Sequence, residues 1–173
     1  MELGYRHIDT AQVYGNEAEV GKAIRDSGIA RDEILITTKV WNNNLSQKDL
    51  ISSVNISLEK LDVESVYLLL VHWPFSESNA PMGEYLAEMK EAKNSGLTHY
   101  IGVSNFTIAH LREAMKLLPA SGIYTNQVEV HPYLTKQKLC DFCHANGINV
   151  TGYMPFAVGK VLKDQLIIDI SEK

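Results

Sequence analysis

Along the chain, aliphatic and β-branched runs alternate with segments whose apolar positions recur every three or four residues. The runs centre on 5–8, 34–38, 66–71, 100–103, 125–130 and 149–153. Several are continuously apolar, as expected of parallel strands covered on both faces. The segments between them read as helices. Asn16 precedes a helix over 17–26, with Glu19 completing a capping box and Gly28 as its stop. Ser46 and Asp49 open the next, in which Leu50, Val54, Leu58 and Leu61 share one face. Further helices are predicted over 82–94 before Gly96, 108–118 before Pro119, 136–145 before Gly147, and 160–173. The spacing between strands is roughly 30 residues, the length of a βαβ unit. With no linker or low-complexity stretch, residues 1–173 are expected to form a single domain.

Crossovers of this kind give a doubly wound sheet or a (β/α) barrel. The strand ends separate the two. Nearly every strand ends on a polar residue that its apolar run does not explain: Asp9, Lys39, His72, Ser104 with Asn105, Gln127 and Tyr153. In a barrel these ends converge on one mouth, where active sites of that fold lie. A doubly wound sheet would normally carry a Gly-rich phosphate loop after its first strand, and no G-x-G-x-x-G occurs.

Composition narrows the partners. The net charge of −5 argues against a nucleic-acid or anionic-membrane surface. No apolar run approaches the ~20 residues of a membrane-spanning helix, and the first ten residues do not form a signal peptide. The expected location is the cytoplasm. Cys140 and Cys143 are too few for a disulfide framework. With His144 they match a haem-attachment pattern, but they fall in a predicted amphipathic helix and are expected to be one of its faces. No metal is expected.

The strand-end residues sit in recognisable blocks. G-Y-R-H-I-D-T-A (4–11) followed by Y-G-N-E (14–17) closely resembles the first signature of the aldo-keto reductases. L-L-V-H-W-P (69–74), I-G-V-S-N-F (101–106) and N-Q-V-E-V-H-P-Y (126–133) resemble its later blocks, in the same order. The segment G-Y-M-P-F-A-V-G-K-V-L-K-D (152–164) is most similar to the bacterial diketogluconate reductase branch.

The resemblance implies a (β/α)8 TIM barrel that reduces a carbonyl with NADPH. Tyr14 would be the general acid that protonates the carbonyl oxygen. A free phenol is a poor donor at neutral pH, and a Lys39 ammonium, paired with Asp9, would assist it. His72 would hydrogen-bond the substrate oxygen. Ser104, Asn105 and Gln127 would bind the nicotinamide carboxamide, and Tyr153 would stack on its ring. Trp41 and Trp73 would line the substrate pocket. The preference for NADPH over NADH is implied by the resemblance alone. The partner is a small-molecule carbonyl (an aldehyde, ketone or keto-sugar), and no specific protein partner is indicated.

Against the family pattern, this chain covers about strands 2 to 7 of the barrel. The first and eighth strands, the segment that grips the adenosine 2′-phosphate and the C-terminal substrate loop are expected to be missing. Six strands cannot close with unchanged geometry, so two unpaired edges are expected. Two other readings remain at this point. A truncated, non-catalytic binding module would keep the fold without the chemistry. A lyase would use Lys39 as a Schiff base, although a neighbouring Asp9 would keep that amine charged.

Overall fold

A computed structural model describes residues 3–46, 49–75, 80–119 and 122–173. Strands and helices alternate throughout: β1 (His7–Asp9), α1 (Glu17–Asp26), β2 (Leu35–Val40), α2 (Leu50–Leu61), β3 (Val66–Val71), α3 (Met82–Asn94), β4 (Thr98–Ser104), α4 (Ile108–Leu117), β5 (Thr125–Glu129), α5 (Gln137–Ala145), β6 (Asn149–Tyr153) and α6 (Gln165–Ser171). The strands lie in sequence order in one sheet, each parallel to its neighbour. The sheet is curled, since residues of both β1 and β6 line one cavity. This is an incomplete (β/α)8 barrel. Among the described residues β1 pairs only with β2, and β6 only with β5, so both edges are unpaired.

The core lies between the sheet and its helices. On α2, Leu50, Val54, Leu58 and Leu61 are all buried, as their helical spacing requires. Each contributes about 1.5–3 kcal/mol by leaving water. Helices α1 and α2 touch at Gly21, where an added Cβ would lie 2.4 Å from the Leu61 carbonyl oxygen. Inside the curl, Lys39, Leu70 and Gly102 form one row across three strands. A Cβ on Gly102 would lie 2.8 Å from Leu70 Cδ2 and 2.7 Å from the Thr125 carbonyl oxygen. Only glycine leaves room there for the filled lumen.

Several local expectations are corrected. β1 begins at His7 rather than residue 5, and Tyr5 is exposed. β2 runs on to Val40, so Lys39 lies within the strand. β4 begins at Thr98. Asn16 makes no capping bond to α1. Its Oδ1 instead accepts a 2.8 Å bond from Thr10 Oγ1, a competitor the local pattern does not reveal. Asp49 does not cap α2 either, and its carboxylate accepts from Ser46 Oγ. The helix expected over 160–173 is broken in two. A single 3-10 turn over Val161–Lys163 precedes Asp164, whose carboxylate caps α6 through the amides of Leu166 and Ile167.

Candidate active site

Strand pairing assembles the first part of the site. Asp9 lies opposite Thr37, and Lys39, two residues on, points to the same side of the sheet. The Lys39 ammonium donates to Asp9 Oδ1, and to the Thr10 carbonyl oxygen at 3.0 Å. Its side chain is 2% exposed, against 38% for Asp9. The second carboxylate oxygen accepts from Gln127 Nε2 at 2.8 Å. Asp9 is thus held from β2 on one oxygen and from β5 on the other.

Tyr14 sits on a 3-10 turn, Gln12–Tyr14, between β1 and α1. The Lys39 nitrogen lies 5.1 Å from its ring centroid. Beyond it, His72 meets the Tyr14 ring edge-on at 5.8 Å and the Trp41 ring edge-on at 5.2 Å. Burial, reinforced by the Lys39 charge and opposed by Asp9, pulls the His72 pKa down to about 4. The imidazole is therefore neutral at neutral pH, with one N–H to donate. His72 Nδ1 is buried without a hydrogen-bond partner.

The next strands supply a polar wall. Ser104 Oγ donates to the Gln127 carbonyl oxygen at 2.9 Å. Asn105 follows with φ +62°, in the left-handed region that asparagine tolerates better than most residues. Its Nδ2 donates to the His72 carbonyl oxygen and to Ser104 Oγ, each at 3.1 Å. Its Oδ1 accepts from the Tyr153 hydroxyl at 2.9 Å. The Gln127 amide oxygen has no hydrogen-bond partner among the described residues.

Asp9, Tyr14, His72, Trp73, Ser104, Asn105, Gln127 and Tyr153 all line one cavity of 530 Å³, and Lys39 lies behind them. Trp41 does not. It borders a neighbouring groove with Gln12 and packs against His72 instead. The cavity is also lined by His7 and Thr151, which the sequence reading passed over. Strand periodicity could have found both, since each lies two residues before a predicted site residue on the same face. His7 Nε2 and Thr37 Oγ1 are hydrogen-bonded at 2.7 Å. Among the described residues no group of three or more His, Cys, Asp or Glu side chains could hold a metal ion.

A nicotinamide carboxamide needs both a donor and an acceptor. Gln127 offers both, an unpartnered amide oxygen and the second Nε2 N–H beyond the one given to Asp9, while the Ser104 hydroxyl and Asn105 amide protons brace the wall behind it; with the Tyr153 ring alongside, the residues present fit such a group. The polar residues gather at the carboxyl ends of the parallel strands, the place where (β/α)-barrel proteins carry their functional sites. Residues 1–170 match the aldo/keto reductase family, and the chain belongs to that family.

The chain is 48% identical to methylglyoxal reductase DkgB of Salmonella typhimurium over its whole length, which is 65% of that protein's length. Its structure superposes with a TM-score of 0.90 and 47% identity on a crystal structure described as a candidate 2,5-diketo-D-gluconic acid reductase B. That match covers 95% of this chain and 58% of the other. An aldo-keto reductase of Bombyx mori, solved in complex with NADP, is 34% identical with a TM-score of 0.81, covering 88% of this chain and 53% of that one.

Proposed function

We propose that this chain carries the catalytic face of an NADPH-dependent carbonyl reductase acting on small aldehydes, ketones or dicarbonyls such as methylglyoxal. The observation that carries the reading is a buried, ion-paired Lys39 against the Tyr14 ring, with a neutral His72 edge-on to the same ring and both rings lining one cavity. The substrate class follows the DkgB relative, and the choice of NADPH follows the family resemblance and the NADP complex of the Bombyx relative.

The cofactor, when bound, supplies a hydride to the carbonyl carbon. The chain supplies everything at the oxygen. Neutral His72 donates a hydrogen bond to the carbonyl oxygen, which orients it and stabilises charge as it develops there. Tyr14 gives its hydroxyl proton to that oxygen. The Lys39 ammonium behind the ring favours this transfer, and Asp9 fixes the ammonium in place. Gln127, Ser104 and Asn105 would hold the cofactor's carboxamide, and Tyr153 would stack on its ring. Trp73 gives the apolar wall that small-molecule sites carry. The same ion pair disfavours the Schiff-base reading, since a nucleophilic amine needs a free lone pair, and Lys39 is seen donating to Asp9 and Thr10.

The test is NADPH oxidation with methylglyoxal and simple aldehydes, using the polypeptide that carries this sequence. The expected result is carbonyl-dependent turnover that drops by about 10²–10⁴ in Tyr14→Phe, with cofactor affinity within roughly twofold of the parent. Turnover that survives this substitution would remove Tyr14 from the role of acid. Absence of any cofactor binding would remove the reading altogether.

A further inference from the structure

We propose that Gln12 is a positioning residue for Tyr14: its side-chain amide clamps the turn that bears the tyrosine to the strand end that bears Lys39 and Trp41. This rests on the reading of Tyr14 as the acid.

Tyr14 needs such a clamp. Its turn, Gln12–Tyr14, is closed by only two backbone bonds, Tyr14 N–H to the Ala11 carbonyl at 3.0 Å and Gly15 N–H to the Gln12 carbonyl at 3.2 Å. No side chain caps it. Tyr14 is 53% exposed, and among the described residues its hydroxyl has no hydrogen-bond partner. Ring contacts to Lys39 and His72 constrain it only loosely. The position of the phenol therefore depends on the position of the turn.

Gln12 uses the whole hydrogen-bonding capacity of its amide on that turn. The amide has two N–H donors and an oxygen with two lone pairs. Nε2 donates to Ser53 Oγ at 3.0 Å and to Ser57 Oγ at 3.2 Å, which lie one turn apart on α2. Oε1 accepts from the Trp41 backbone N–H at 2.8 Å and from Asn44 Nδ2 at 2.9 Å. Ser53 and Ser57 are both buried; Ser53 Oγ also donates to the Leu50 carbonyl oxygen at 2.8 Å, so it is the Ser57 hydroxyl whose loss of Gln12 carries the desolvation cost. Trp41 follows Lys39 by two residues and packs on His72. One side chain thus ties the tyrosine's turn to α2 and to the strand end beside the other reacting groups.

A proton donor displaced by about 1 Å can lose ~10²-fold in rate. Gln12→Met keeps the length and volume of the side chain and removes all four bonds. In the polypeptide that carries this sequence, the expected result is a kcat about 10- to 100-fold lower with cofactor dissociation constant unchanged, because the cofactor wall lies on β4 to β6. The same substitution in a Tyr14→Phe background is expected to cost the residual rate nothing further, since the group it positions is already gone. A thermal melt checks that the variant is folded. Independently of turnover, the nuclear Overhauser contact between the Tyr14 and His72 rings is expected in the parent and clearly weakened in Gln12→Met.

An unchanged kcat would overturn the proposal. So would an equal loss in both backgrounds or a parallel loss of cofactor affinity, which mark a general structural role. An undiminished Tyr14–His72 contact in Gln12→Met overturns it where turnover cannot be read. A Tyr14→Phe variant that keeps its rate removes the acid assignment itself and is read separately from any of these.

Discussion

Gln127 Nε2 reaches Asp9 Oδ2 at 2.8 Å, joining β5 to β1 across 118 residues of chain. The amide proposed to bind the cofactor's carboxamide therefore also holds the carboxylate that holds Lys39. Gln127→Ala removes both bonds at once. Hydrogen bonds to charged groups contribute about 1.5–3 kcal/mol, so the expected outcome is a loss of stability in that range together with cofactor affinity weakened by roughly tenfold. Urea denaturation and a Trp fluorescence titration measure the two. An unaltered cofactor affinity would take Gln127 out of the cofactor wall.

The Asp9–Lys39 pair is asymmetric, and its two halves should behave differently. Lys39 is 2% exposed and Asp9 38%. Asp9→Asn strands a buried ammonium without its counter-charge, which typically costs about 3–5 kcal/mol. Lys39→Met strands a carboxylate that water and Gln127 still reach, and should cost clearly less. Melting curves of the two variants compare them directly. Equal destabilisation would mean that the carboxylate is as poorly solvated as the amine.

His72 gives a pH dependence with a definite sign. Its pKa falls from the usual 6.5 to about 4 on folding, so between these values the unfolded chain binds a proton that the folded chain does not. Its contribution to stability is complete above about pH 6.5 and is lost as pH falls from there toward 4. The difference in stability between the parent and His72→Asn should shrink over that window and level off below it. Denaturant titrations between pH 4 and 7.5 measure this. A difference independent of pH would mean that the imidazole titrates normally in the fold.

Part of this was legible along the chain. The largely buried strand β3 is an apolar run of five aliphatic residues and Tyr67, and its predicted bounds coincide with the folded ones, Val66–Val71. The helix over Met82–Asn94, followed by Gly96 at φ +78°, is equally local. Helix ends were less legible. Asn16 reads as a cap, yet Thr10 claims its side-chain oxygen. Asp164, inside a segment read as one continuous helix, instead caps a shorter one.

By itself the sequence determined the order of strands and helices, the row of polar strand ends and the family to which the chain belongs. These follow from the period of apolar positions and from short blocks in a set order, which are properties of neighbouring residues. Only the tertiary structure decided which of the polar groups meet. The Lys39 ammonium under Tyr14, the amide of Gln12 spread between Ser53, Ser57, Trp41 and Asn44, and the strut from Gln127 to Asp9 all join residues far apart in the chain. Such contacts arise when a sheet curls and its helices pack, because strand register and side-chain reach, rather than sequence spacing, set the distances between them.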